Sequence, residues 1–116
     1  IHDRPELGYQ EVFASGLLAE TLEGFGFNVE RGFAGIETAI CARKGRPGPH
    51  VAFLAEYDAL PEIGHGCGHN VIATSALSAG IGLGAVIDEW VRRPRRPTAA
   101  KWSWSTAELL KALPRP

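Results

Sequence analysis

The chain changes chemical character twice between residues 51 and 87, and the order of those changes constrains its fold more than any other feature. Residues 51–55, VAFLA, form a continuous apolar run of the kind that makes a strand buried on both faces. Residues 56–70, EYDALPEIGHGCGHN, are a polar loop rich in glycine, and residues 71–87 carry no charge and are full of Ala, Ser and Gly. A buried strand feeding a loop and then a helix is the local order of an α/β domain, where functional groups gather at the carboxyl ends of strands.

The loop concentrates the side chains that chemistry needs. Cys67 and His69 sit two apart, His65 lies two residues before the cysteine, and glycines occupy positions 64, 66 and 68. A thiolate and an imidazole suit zinc. Glycine tolerates positive φ, so alternating glycines let the backbone fold tightly and turn neighbouring side chains inward. Glu56, Asp58 and Glu62 are near enough in sequence to act as ligands or as partners that orient ligands. Each residue also has a plain structural reading: Cys67 as a buried thiol, His65 as a loop histidine rather than a donor to a ligand, Asp58 as a turn carboxylate, Glu62 as a solvated charge. Asn70 is placed to cap the helix over 71–87. That helix is expected to be a tightly packed core element. A membrane span is the rival, disfavoured because seventeen residues is short for one.

Upstream, Pro5 and Gly8 bound a short turn, and Phe13, Leu17, Leu18, Leu22 and Phe25 recur at helical spacing from Glu11 onward. Their stripe predicts an amphipathic helix ended by Gly24 and Gly26. Residues 27–33 and 38–42 read as strands joined by a turn at Gly35. Residues 43–49, RKGRPGP, read as a solvated basic loop. Cys41, in the second strand, reads as a small buried hydrophobe, and a disulfide to Cys67 is disfavoured. With two cysteines and no secretory signal in the composition, a cytoplasmic location is the expectation.

Net charge is close to zero only because two unlike segments cancel. Residues 1–89 hold five Lys and Arg against twelve Asp and Glu, whereas residues 90–116 hold seven against one. All three tryptophans also lie in that last segment, with prolines that break a helix after Arg92. A short helix is expected over 106–113. A nucleic-acid or membrane contact through its arginines is the lesser reading, because a charge run is usually solvated surface. The chain has no methionine, so Ile1 is expected to be an internal residue of a longer product.

The segments IHDRPELGYQE, GFAGIETA and above all EYDALPEIGHGCGHN resemble the M20 metallopeptidase family. The likeness is greatest to its amidohydrolase branch of aminobenzoyl-glutamate and N-acyl-amino-acid hydrolases. It covers residues 1–89, and residues 90–116 are unrelated to it. It implies part of a zinc-peptidase-type catalytic domain, an α/β fragment built of a helix, a strand hairpin, a central strand, the site loop and a buried helix. Members of the family hold two divalent metals, zinc or manganese, and use water to hydrolyse an amide bond. On that pattern Cys67 and His69 are metal ligands and Asp58 orients a ligand. Asn70, in place of a common aspartate, favours a dipeptide or acyl-glutamate type of substrate. The implied partners are a small peptide or an N-acyl amino acid, with no nucleic acid and no membrane, in a parent homodimer.

The family's catalytic base is the first of a Glu-Glu pair, whose second glutamate is a ligand, with a further histidine downstream. Beyond His69 this sequence has only Asp88, Glu89 and Glu108 as acids and no histidine. The family's dimerisation domain is missing as well. The sequence-based expectation is therefore the N-terminal piece of a metal-dependent amidohydrolase, inactive alone. The alternative is a non-enzymatic remnant of a truncated or frameshifted gene, whose out-of-frame reading would account for the tail.

Overall fold

The computed structural model describes residues 1–92. The expectations for residues 93–116 lie outside it. Five elements follow in order: helix α1 (Val12–Gly24), strand β1 (Asn28–Arg31), a 3-10 turn (Phe33–Gly35), strand β2 (Ile40–Arg43) and helix α2 (His69–Arg92).

Helix α1 starts one residue after Glu11, and its N-terminus is capped from outside the helix. Glu11 makes no side-chain cap. The Glu6 carboxylate instead accepts the backbone N–H of Phe13 at 2.9 Å and of Ala14 at 2.8 Å, one on each oxygen. Those are two of the donors that a helix start leaves without an internal partner, and the negative charge suits the helix dipole. At the other end Gly26 takes φ of 78°. The N–H of Phe27 bonds to the Leu22 carbonyl at 3.0 Å and that of Gly26 to Glu23 at 2.9 Å. This is a Schellman cap, the ending expected from the two glycines.

The buried face of α1 consists of Ala14, Leu18 and Ala19. It is rotated from the expected stripe: Leu17 and Phe25 are exposed, and Phe13 carries the Arg4 guanidinium 4.5 Å above its ring. Alanines let the hairpin approach closely, which a stripe read from large residues alone misses. Strands β1 and β2 pair antiparallel, with Val29 opposite Ala42 and Glu30 opposite Cys41. Cys41 is half-buried, not buried, and both cysteines are free thiols. The basic loop after β2 is not wholly solvated either. Lys44 donates to the Phe25 carbonyl at 2.6 Å, at the C-terminal end of α1, and lies 5.3 Å from the Phe27 ring centre.

Two expectations fail. Residues 51–55 form no strand, and Val51, Phe53 and Leu54 are exposed. An apolar run becomes a central strand only where strands flank it, and no neighbour in the two-stranded sheet reaches this one. Helix α2 is likewise not a buried core helix: Val71, Ile72 and Val86 are exposed, and Ala73 is its fully buried apolar residue among those described. It does pack closely at one point. A Cβ on Gly84 would come within 3.0 Å of the Phe27 ring and 3.1 Å of the Lys44 side chain, so glycine there lets the helix meet the hairpin. The helix also runs past the expected end at 87, through Trp90, to Arg92. Over His69–Ile87 its length and mean hydropathy of 1.6 reach what a membrane span requires, and 6% of that window is buried.

Candidate metal centre

The loop before α2 is built from two tight turns. Leu60 and Gly64 exchange backbone hydrogen bonds at 2.8 and 3.0 Å, and Ile63 N–H bonds to Pro61 O at 2.7 Å across Glu62, whose φ is 64°. An i to i+2 bond around a positive φ is the rarer, strained γ-turn. The second turn closes with Gly68 N–H on the His65 carbonyl at 3.0 Å. Gly64 and Gly68 take φ of 66° and 77°, where a side chain would be strained. Gly66 has a different reason to be glycine: its Cβ would fall 2.6 Å from the Ile63 side chain.

Gly68 O accepts the N–H groups of Val71 and Ile72. The N-cap position is therefore Gly68, and Asn70, expected to be the cap, lies inside the helix. This shift puts His69 in the first turn of α2. Its ring faces the 56–58 segment: Nδ1 is 2.7 Å from Asp58 Oδ1 and Nε2 is 3.4 Å from Glu56 Oε2. A carboxylate only accepts, so the Asp58 contact uses an Nδ1–H donor and leaves Nε2 as the histidine's outward nitrogen.

Residues 56–58 present alternate side chains in opposite directions. Glu56 and Asp58 reach His69, while the Tyr57 hydroxyl donates to the Thr38 carbonyl at 2.6 Å. The Thr38 hydroxyl in turn donates to Glu11 Oε2 at 2.8 Å, and both residues are buried. Burial, and after it the Glu11 charge, push the Tyr57 phenol above its ordinary pKa. The next residue is fixed by the lead-in, because Ala59 N–H bonds to Glu6 O at 2.7 Å. The three segments that carry the family resemblance, though far apart in sequence, are thus tied together by Glu6, Glu11, Thr38, Tyr57, Asp58 and His69. Sequence reasoning singles out only the last two. It misses the acid six residues before the helix and the buried Glu11, because capping and burial are tertiary facts.

Of the predicted site residues, Asp58 and His69 are brought together, and Cys67 stands exposed in the turn before α2. Glu62 is exposed and belongs to the strained turn. The two ring nitrogens of His65 are shut off from water without a hydrogen-bond partner among the described residues. The ring lies stacked 6.3 Å from His2. Glu56 and Asp58 approach opposite nitrogens of one ring, so they do not converge on one point. Among the described residues no group of three or more His, Cys, Asp or Glu forms a metal-holding cluster. The larger cavity, about 300 Å³, lies elsewhere, with Leu17, Leu18 and Thr21 of α1 and Thr74 and Leu77 of α2 among its walls.

A histidine whose Nδ1 is engaged by a carboxylate, beside a thiol in a glycine-rich turn, is an arrangement of metallohydrolases. No protein-family profile matches the chain. Curated proteins do. The chain is 35% identical over 107 residues to a p-aminobenzoyl-glutamate hydrolase of Escherichia coli K12, covering 78% of the chain and 22% of that protein. It is 40% identical over 105 residues to the Xaa-Arg dipeptidase of Mus musculus, covering 81% of the chain and 24% of the relative. A third relative, thermostable carboxypeptidase 2 of Saccharolobus solfataricus, is 40% identical over 86 residues, 60% of the chain and 22% of its own length. The chain is a homologue of M20-family enzymes. It spans about a quarter of the length of the curated relatives it matches.

Proposed function

We propose that this chain contributes part of the metal centre of an M20-type amidohydrolase, with Cys67 and His69 as ligands and Asp58 holding His69. The observation that carries this reading is the 2.7 Å bond from His69 Nδ1 to Asp58. It sets the ring orientation and leaves Nε2 for a cation, with the Glu56 carboxylate close by. The donor chemistry fits a divalent metal, zinc first and manganese second. It fits as half of a centre. When bound, such a metal polarises an amide carbonyl and activates water for hydrolysis. The substrate class is a small peptide or an N-acyl amino acid, in keeping with relatives named as an aminobenzoyl-glutamate hydrolase, a dipeptidase and a hippurate hydrolase.

The chain's own residues position and bind; its sequence holds no Glu-Glu pair and no downstream histidine to complete the chemistry. Hydrolysis by these residues alone is not expected, and the complete enzyme would be a cytoplasmic homodimer. The exposed apolar run at 51–55 and the exposed face of α2 support a piece of a larger domain. The break in charge at residue 90 supports the second reading, a remnant of a frameshifted gene; a continuous in-frame gene with homologous tails would refute it. The test of the main reading is calorimetric titration of the chain with zinc. One saturable event, lost in Cys67→Ala and His69→Ala variants that remain helical by circular dichroism, is expected. Binding unchanged by either substitution would refute it.

A further inference from the structure

We propose that the Tyr57 hydroxyl is a positioning group, which fixes the 56–58 segment so that Asp58 meets His69 in one orientation. The site segment has little else to fix it on its N-terminal side. Residues 51–56 form no regular element, and Val51, Phe53 and Leu54 are exposed, so the chain reaches Glu56 as an unsupported strap. On the C-terminal side Ala59 is tied to Glu6. Between them the tie is the Tyr57 hydroxyl, 2.6 Å from the Thr38 carbonyl at the entry to β2. That carbonyl belongs to a residue buried and held in turn by the Glu11 carboxylate at 2.8 Å. Side chains alternate along an extended segment. Anchoring Tyr57 on one side therefore sets the direction in which Asp58 leaves on the other. The chain of contacts Glu11–Thr38–Tyr57, followed by Asp58–His69, connects the start of α1 to the start of α2 through the site.

This inference rests on the proposed metal centre for its consequence, but not for its first readout. In the metal-free chain, nitrogen NMR of the histidine side chains reports whether the neutral His69 ring carries its proton on Nδ1. The wild type is expected to show the Nδ1–H form. Tyr57→Phe, with circular dichroism unchanged, is expected to raise the Nε2–H form several-fold. Tyr9→Phe removes a hydroxyl from an exposed side chain and is expected to change nothing. Zinc affinity is expected to fall about tenfold in Tyr57→Phe, the scale of losing an orienting partner. In an Asp58→Ala background the same substitution should cause no further fall, because the effect passes through Asp58.

Retention of the Nδ1–H form in Tyr57→Phe would overturn the inference. So would an equal loss of affinity in both backgrounds. A Tyr57→Phe chain that does not fold would also overturn it, since the hydroxyl would then hold the fold as a whole. If the wild type binds no zinc, the metal-centre reading fails while the tautomer measurement still decides the role of Tyr57.

Discussion

Tyr57 links the chemistry of single residues to a measurable pH dependence. Burial and the neighbouring Glu11 charge raise its pKa above the ordinary value of 10.0. A raised pKa means that the folded chain keeps the phenolic proton after the unfolded chain has lost it. The associated stability is complete below the unfolded pKa and is lost as pH rises through the folded one. The alkaline fall in stability above about pH 10 should therefore be steeper in the wild type than in Tyr57→Phe, read from denaturant midpoints across that range. His65 makes the opposite case. Its two ring nitrogens are buried without partners among the described residues, and an unsatisfied polar group costs about 1–3 kcal/mol. His65→Phe keeps the ring and is expected to raise the thermal midpoint; a lowered midpoint would mean that the nitrogens are satisfied in solution. Cys67, His69 and Asp58 were legible as candidates because soft and hard ligands seldom crowd into one short loop. The pairing of Asp58 with His69 in particular required the fold.

At the scale of elements, local rules carried the reading where an element's ends are set by its own residues. The Schellman cap at Gly26 and the hairpin are of that kind. They failed where the partner comes from afar. Helix α1 takes its cap from Glu6, outside any motif spaced for capping. Glu6→Ala is expected to cost about 1–2 kcal/mol in chemical denaturation, the range of a lost N-cap. Glu6→Gln, which keeps one acceptor, should cost less. Equal stability of both variants and wild type would show that the two bonds contribute nothing. Asn70 shows the same limit in reverse: its side chain suits a cap, yet Gly68 takes the position because its positive φ turns the loop into α2.

For the whole molecule, the missing information is what surrounds it. A run such as 51–55 reads as a central strand because its composition is that of one, but a strand exists only between neighbours. Small residues along α2 read as a core helix for the same reason, and the helix is largely exposed. Exposed apolar surface of this kind drives self-association. Leu54 is 87% exposed, so Leu54→Lys should leave the unfolding free energy within about 0.5 kcal/mol. It should also reduce aggregation measured by light scattering. A large loss of stability would show instead that residues 51–55 are packed in solution.

Cobalt(II) binding followed by absorption spectroscopy tests the half-centre most directly, because a thiolate on cobalt gives a near-ultraviolet charge-transfer band that a carboxylate does not. The wild-type chain should develop that band with saturation. Cys67→Ala should abolish the band, and His69→Ala should weaken binding while any residual complex keeps it. A wild-type chain that binds cobalt without the band, or a band that survives Cys67→Ala, would contradict the assignment of Cys67 and His69 as the metal ligands of this protein.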